Sequence, residues 1–264
     1  MMQHDCLLDI QRLSVEFGGL KALTNINISI NEGELAGLIG PNGAGKTTLF
    51  NTLTGLCKPS AGQIFFQGKD ITYKSAHYIS RHGIARTFQN IRLFKSLTVL
   101  DNLRIAYHQN MSYSVLAGIF RTKAYHRDEV LAEQKAMEML ELVGLAKHAQ
   151  GLAVNLSYGN QRKLEIARAM VTQPKLLLLD EPAAGMNPLE TQELLGLIKH
   201  LRTEFKLTIL LIEHDMSLVM NLCEKLFVLD YGTLLAQGTV AEIKNNPQVI
   251  QAYLGADMHG TVTG

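Results

Sequence analysis

Short runs of apolar residues alternate along the chain with longer segments in which apolar positions recur at helical spacing. The continuous runs Leu35–Ile39, Leu176–Leu179 and Thr208–Ile212 have the length and composition of strands buried on both faces. Because helical segments separate these runs, the pattern predicts an α/β fold with a largely parallel sheet.

The N-terminal part has a different pattern. Leu7–Phe17 and Ala22–Ile30 alternate in part between apolar and polar residues and predict β segments. Gln63–Phe66 and the stretch Gly83–Phe88 predict further strands. β structure is therefore expected on both sides of the first buried run.

The middle of the chain, about Leu97 to Gln150, is rich in Ala, Glu, Lys and Met. It predicts a mostly helical insert with a less regular segment near Asn110–Arg127. Within Val130–Val143, four apolar residues recur at roughly helical spacing and predict the buried stripe. They are Leu131, Met139, Leu140 and Val143.

A helix with clear start signals lies between the last two buried runs. Asn187 can cap it, Pro188 occupies its first turn, and Glu190 completes the spacing of a capping box. Its predicted apolar stripe is Leu194, Leu197, Ile198 and Leu201.

Composition excludes several classes of protein. The 264 residues are 47% hydrophobic and 19% charged, with a formal net charge of +1, which is typical of a folded soluble protein without a nucleic-acid partner. Three widely spaced cysteines (Cys6, Cys57 and Cys223) predict neither a disulfide framework nor a metal site. The N-terminus lacks signal-peptide character, and no apolar run reaches the roughly 20 residues of a membrane span. Any connection with a membrane is therefore expected to go through a partner.

The glycine-rich segment GPNGAGKTT follows the strand Leu35–Ile39 directly. Glycines let backbone N–H groups surround phosphate oxygens, and the next helix presents its positive end to them. Lys46 is expected to reach the β- and γ-phosphates of ATP, Thr47 to ligate Mg²⁺, and Thr48 to support a neighbouring phosphate. An ordinary glycine turn is the alternative, which the complete pattern disfavours. The predicted nucleotide-binding residues are Gly40, Pro41, Asn42, Gly43, Ala44, Gly45, Lys46, Thr47 and Thr48.

Two acidic residues follow the buried run Leu176–Leu179. Asp180 is expected at the carboxyl end of that strand, where α/β sheets bind ligands, and there it would hold Mg²⁺. Glu181 is expected to orient or deprotonate the attacking water. A solvated acidic pair is the alternative, and the nearby phosphate loop makes it less favoured.

The segment LSYGNQRKLEIARAM, Leu156–Met170, resembles the signature of ATP-binding-cassette (ABC) ATPases, whose usual form is LSGGQ. It departs from that form at Tyr158 and Asn160. Ser157 and Gly159 remain, and the resemblance implies that they grip the γ-phosphate of a nucleotide held by a second ATPase subunit.

The same resemblance assigns roles to three further residues. Gln89, in ARTFQN, matches the glutamine that senses Mg²⁺ and water and faces the transmembrane partner, and His214, in LLIEHD, matches the histidine that contacts the γ-phosphate. Phe17 matches the aromatic that stacks on adenine. A merely polar glutamine, a structural histidine and a core phenylalanine are the alternatives. Many relatives carry aspartate where Asn187 stands.

The resemblance implies one ABC ATPase domain over residues 7–254, with an N-terminal antiparallel β subdomain. It also implies a helical insert at about 97–172, a short C-terminal extension at 236–255 and a flexible tail at 256–264. Four stretches are most similar to ATP-binding subunits of branched-chain amino acid importers. They are Phe17–Leu23, Ala85–Phe94, Leu156–Met170 and Leu179–Pro188, and the insert around Tyr113–Arg127 agrees with them.

The closer resemblance implies an ATPase peripheral to the cytoplasmic face of the inner membrane. Its expected partners are permease subunits, a second ABC ATPase in a homodimer or heterodimer, and, indirectly, a solute-binding protein. Urea or amide import, lipopolysaccharide export, a soluble ABC ATPase and a nucleotide-dependent binding module remain as alternatives.

Overall fold

The computed structural model describes residues 6–111 and 122–259, with the backbone alone for residues 254–259. In chain order the strands of this part are β1 (Cys6–Phe17), β2 (Leu20–Asn31), β3 (Leu35–Ile39), β4 (Ala61–Phe66), β5 (Lys69–Asp70), β6 (Ile84–Arg86), β7 (Leu176–Asp180), β8 (Thr208–Ile212), β9 (Lys225–Asp230) and β10 (Thr233–Thr239). The helices are α1 (Lys46–Leu53), α2 (Ala76–Arg81), α3 (Val99–Tyr107), α4 (Lys123–Leu142), α5 (Tyr158–Met170), α6 (Pro188–Phe205), α7 (Met216–Leu222), α8 (Val240–Lys244) and α9 (Pro247–His259).

A six-stranded sheet in the order β10-β9-β3-β8-β7-β6 forms the centre of the fold. All its neighbouring strands are parallel except the antiparallel pair β9–β10. Every residue of β3, β7 and β8 is buried, because apolar groups cover both faces of the sheet. The predicted parallel sheet is confirmed, and its carboxyl edge collects the loops after β3, β6, β7 and β8.

A four-stranded antiparallel sheet in the order β2-β1-β4-β5 lies on one side of this centre. Alternate side chains of β1 and β2, such as Leu8, Ile10 and Ile28, point into a core shared with α1 and one face of the central sheet. The expected N-terminal antiparallel subdomain is therefore present.

Helices α3, α4 and α5 pack together on the opposite side. Two details differ from the sequence prediction. Helix α4 begins at Lys123, so residues 123–127 are helical rather than irregular; residues 112–121 lie outside the described part. Leu131 is 40% exposed, whereas Ala132 and Ala136 are fully buried. The small alanines let the helices approach closely, and this turns the stripe one position away from Leu131.

Helix α6 has the predicted cap. Asn187 Oδ1 accepts a hydrogen bond from the Glu190 N–H at 2.9 Å, and Glu190 Oε2 accepts one from the Asn187 N–H at 3.1 Å. Its buried stripe is Leu194, Ile198 and Leu201, with Leu197 only partly buried.

The C-terminal helix α9 includes residues 256–259, the first part of the predicted flexible tail 256–264, whose remainder lies outside the described residues. None of the described helices is both long and apolar enough to cross a lipid bilayer.

Candidate active site

The phosphate loop joins β3 to α1 and surrounds the side chain of Lys46. The ammonium donates hydrogen bonds to the carbonyl oxygens of Gly40 at 2.6 Å and Pro41 at 2.9 Å. Burial lowers the pKa of Lys46, and the carboxylates of Glu181 and Asp180 oppose that shift. Backbone carbonyl oxygens of the loop therefore hold the ammonium at the start of α1, where a cation and a helix N-terminus together suit the binding of phosphate oxygens.

Two glycines of this loop have different constraints. Gly40 has φ +149°, and a Cβ added there would lie 2.1 Å from the carbonyl oxygen of Leu229 in β9. Gly43 has φ +80°, but a Cβ there would meet nothing within 4 Å. Gly40 is therefore required by both backbone conformation and space, and Gly43 by conformation alone.

We expect Gly43→Ala to lower the free energy of unfolding by about 1–2 kcal/mol, the cost of a left-handed residue with a side chain. Gly40→Ala should cost about 1 kcal/mol or more beyond that, because its methyl group overlaps β9. Urea denaturation of the two variants checks this difference. Equal losses would mean that β9 moves away at no cost.

Asp180 ends β7 and is buried, as predicted, but it also has a partner that the sequence did not reveal. Arg86, the last residue of β6, donates to Asp180 Oδ2 at 2.7 Å and to Asn51 Oδ1 in α1 at 2.7 Å. The two charged side chains are only 5% and 6% exposed. Since an unpaired charge at this depth is costly, each side chain compensates the burial of the other, and Arg86 fixes the orientation of Asp180.

Glu181 lies where three loops meet. Gln89 Nε2 donates to Glu181 Oε2 at 2.8 Å, and His214 Nε2 is in hydrogen-bond contact with Glu181 Oε1. The backbone of Glu181 is left-handed, with φ +46°, which turns the residue away from the direction of Asp180. A carboxylate anchored from both sides can orient a water molecule or accept its proton. The three predicted catalytic residues are thus brought together.

Glu213 is a buried carboxylate that no sequence motif indicated. Its two oxygens accept hydrogen bonds from the backbone N–H groups of Ala183 at 3.0 Å and His214 at 3.3 Å. Burial raises the pKa of Glu213, and these two hydrogen bonds oppose the rise. Glu213 therefore ties the loop after β7 to the loop that carries His214.

The signature residues begin helix α5. Ser157 is its N-cap, and its Oγ accepts a hydrogen bond from the Asn160 N–H at 3.4 Å. Gly159 is buried against α6, where an added Cβ would lie 2.8 Å from Glu190 Oε1. Among the described residues, neither Ser157 nor Gly159 belongs to the cavity beside Lys46.

Arg162 connects α5 to the segment that carries Gln89. It is fully buried and donates to the carbonyl oxygens of Phe88 at 2.7 Å and Gln89 at 2.8 Å. It also pairs with Glu165 Oε2 at 2.8 Å, and Glu165 Oε1 accepts from the Arg92 N–H at 3.2 Å. Arg162 and Glu165 are only three residues apart on α5, but no spacing rule relates them to Phe88, Gln89 and Arg92, and these long-range contacts were not predicted.

A cavity of about 590 Å³ contains most of the predicted site. Phe17 is not among its lining residues and is 52% exposed, so the alternative of a core phenylalanine is wrong, while adenine stacking stays a prediction. Leu20 and Tyr231 provide apolar surface to the cavity and were not predicted. The full lining is Leu20, Lys21, Ala22, Asn42, Gly43, Ala44, Gly45, Lys46, Thr47, Thr48, Gln89, Glu181, His214, Tyr231 and Gly232.

Family comparison agrees with this geometry. The family model described as "ABC transporter" matches residues 23–184. A second model, "Branched-chain amino acid ATP-binding cassette transporter", matches residues 233–259. The first match includes the phosphate loop, the signature segment and both acidic residues.

Curated relatives and solved structures extend the match over almost the whole chain. The chain is 50% identical to the "High-affinity branched-chain amino acid transport ATP-binding protein LivG" of Salmonella typhimurium, over 94% of this chain and 98% of the relative. It is 48% identical to the corresponding protein BraF of Pseudomonas aeruginosa, over 94% of this chain and 98% of that relative. The crystal structure of the ADP conformation of MJ1267, an ATP-binding cassette of an ABC transporter, superposes with a TM-score of 0.82 at 34% identity, covering 95% of this chain and 99% of that one. The chain therefore belongs to the ABC transporter ATPases, in the group of LivG-like ATP-binding subunits.

Proposed function

We propose that the chain hydrolyses Mg²⁺-bound ATP to drive a membrane importer of branched-chain amino acids. The observation that carries the catalytic part is the carboxylate of Glu181, held by Gln89 and His214 beside the phosphate loop. Relatives named as branched-chain amino acid transport proteins, about half identical in sequence, support the choice of solute.

The residues present suit a magnesium–nucleotide complex. Mg²⁺ prefers oxygen ligands, and the hydroxyl of Thr47, the carboxylate of Asp180 and the amide of Gln89 would supply them. The ion would neutralise charge on the phosphates. Lys46 and the N–H groups of the loop bind and orient the phosphates, and Glu181 holds the water or takes its proton.

The position of Ser157 and Gly159 outside the cavity supports a site completed by a second subunit. They would bind the γ-phosphate held by a second ABC ATPase, either another copy of this chain or a related one. Two nucleotides would then favour the closed pair, and hydrolysis would release it.

We further propose that permease subunits dock near Gln89 and the helical insert and hold the chain at the cytoplasmic face of the inner membrane. A solute-binding protein would act on those permeases rather than on this chain. Movement of the segment after β6 would then transmit closure of the ATPase pair to the membrane subunits.

Removal of the Lys46 ammonium tests the nucleotide site. Lys46→Ala should weaken Mg²⁺–ATP binding by about tenfold or more, because a charge-assisted contact with the phosphates is lost. Calorimetric titration measures it, with Lys58→Ala as the control, since Lys58 is exposed and lies outside the cavity. Unchanged affinity in Lys46→Ala would contradict the assignment of the loop.

Solute uptake tests the transport part. Cells that depend on this chain should take up labelled leucine with the wild type and not with Lys46→Ala. Uptake of labelled urea in place of leucine would favour the amide-import alternative. Normal leucine uptake with Lys46→Ala would mean that this chain does not energise leucine import.

A further inference from the structure

Two exposed apolar side chains are part of the cavity lining. Leu20 begins β2 and Tyr231 forms the turn between β9 and β10, and both line the same space as Lys46 and Thr47. Leu20 is 71% exposed and Tyr231 85% exposed. Neither has a role in the phosphate chemistry described above, so they are available to another part of a bound nucleotide.

The turn that carries Tyr231 is fixed against the phosphate loop. The N–H of Gly232 donates to the carbonyl oxygen of Ala44 at 3.1 Å, and the carbonyl oxygen of Gly232 accepts from the Thr24 N–H at 2.7 Å. A Cβ added to Gly232 would lie 2.6 Å from the carbonyl oxygen of Ala22. Three backbone segments therefore meet here. They hold the backbone of Tyr231 beside the phosphate loop, whichever rotamer its side chain adopts.

The backbone of Tyr231 is left-handed, with φ +40°. Bulky residues rarely adopt this conformation, and when they do, the surrounding structure enforces it, often at a functional site. Glu181, which also lines this cavity, has the same property. The turn thus projects an aromatic ring into solvent beside the cavity and does not bury it in the core.

An aromatic face in this position matches the chemistry of a purine base. Aromatic rings stack on one another, and the phenol of tyrosine keeps a polar end in water. Phe17, the predicted adenine contact, lies outside the lining, whereas Tyr231 belongs to it. We propose that Tyr231 is a specificity-determining residue that contacts the base of the bound nucleotide. This inference rests on the proposed ATP site.

The chain contains no tryptophan, so a single indole can report on this contact. The emission of Tyr231→Trp should change when Mg²⁺–ADP binds and stay constant with inorganic tripolyphosphate, which lacks a base. Tyr73→Trp is the matched control, because Tyr73 is 64% exposed and lies outside the cavity. The emission of this variant should not change with either ligand. ADP is used so that neither hydrolysis nor ATP-driven closure contributes.

Affinity gives a second measurement. Tyr231→Ala should weaken ADP binding by about three- to tenfold, and Tyr231→Phe should keep wild-type affinity, because the ring and not the hydroxyl makes the contact. The affinity of the wild type and both variants for tripolyphosphate should be equal.

Three outcomes would overturn the proposal. In the first, calorimetry shows ADP binding while the emission of Tyr231→Trp stays constant and Tyr231→Ala binds normally. In the second, the emission responds only to ATP in a trapped dimer, which would place Tyr231 at the subunit interface. In the third, the wild type itself does not bind ADP, and then the proposed ATP site fails as well.

Discussion

Glu181→Gln is expected to lower the rate of ATP turnover by about 10²- to 10⁴-fold while leaving ATP binding intact. The carboxylate has one oxygen on Gln89 and the other on His214, so its position is set before any water arrives. An amide has nearly the same shape but does not accept a proton. Binding is expected to persist, because Lys46 and the loop contact the phosphates independently of Glu181.

Phosphate release and equilibrium ATP binding measure the two effects separately. Sedimentation in Mg²⁺–ATP should also show a dimer that persists in Glu181→Gln and dissociates after turnover in the wild type. Glu193→Gln is the control, since Glu193 is an exposed residue that pairs with Lys163 on the surface. If the ATP turnover of Glu181→Gln is within threefold of the wild-type rate, Glu181 takes no part in the chemical step.

The central strands and the capped helix could be predicted because their signals are local. β3, β7 and β8 are continuous apolar runs, and their burial on both faces follows from that pattern. The cap of α6 needs only Asn187 and Glu190, three residues apart. The convergence of Gln89, Glu181 and His214 follows from parallel strands whose carboxyl ends share one edge.

The site residues that the sequence did not predict make contacts with residues far away along the chain. Arg86 reaches Asp180 and Arg162 reaches the carbonyl of Phe88, pairs that are far apart along the chain. Leu131 shows a different limit: periodicity correctly predicted that Met139, Leu140 and Val143 are buried, but it selected the exposed Leu131 and passed over the buried Ala132 and Ala136. Small residues carry little hydrophobic signal even where packing depends on them.

Together the two arginines hold both ends of the segment that carries Gln89. Arg86 fixes its start to Asp180 and to α1, and Arg162 fixes the carbonyls of Phe88 and Gln89 to α5. The glutamine that contacts Glu181 is therefore positioned both through Asp180 and through helix α5. Loss of either arginine should affect catalysis through Gln89, although neither touches Glu181 in the structure.

Arg162→Met is expected to lower the free energy of unfolding by about 3–5 kcal/mol, because Glu165 would remain buried without its partner. The carbonyl oxygens of Phe88 and Gln89 would also lose their donor. Arg162→Met/Glu165→Met should regain part of the stability, since no isolated charge is left. Its turnover should stay low, because Gln89 is no longer anchored to α5.

Urea denaturation and phosphate release are measured on the wild type, Arg162→Met and Arg162→Met/Glu165→Met. Together they separate the loss of stability from the loss of Gln89 positioning. Lys163→Met is the matched control on the same helix. This substitution breaks only the partly exposed ion pair with Glu193, so it should lower the free energy of unfolding by no more than about 1 kcal/mol. Full turnover in the refolded double variant would mean that Gln89 is held by other contacts. If Arg162→Met lowers the free energy of unfolding no more than Lys163→Met does, the buried pair of Arg162 and Glu165 does not stabilise the fold.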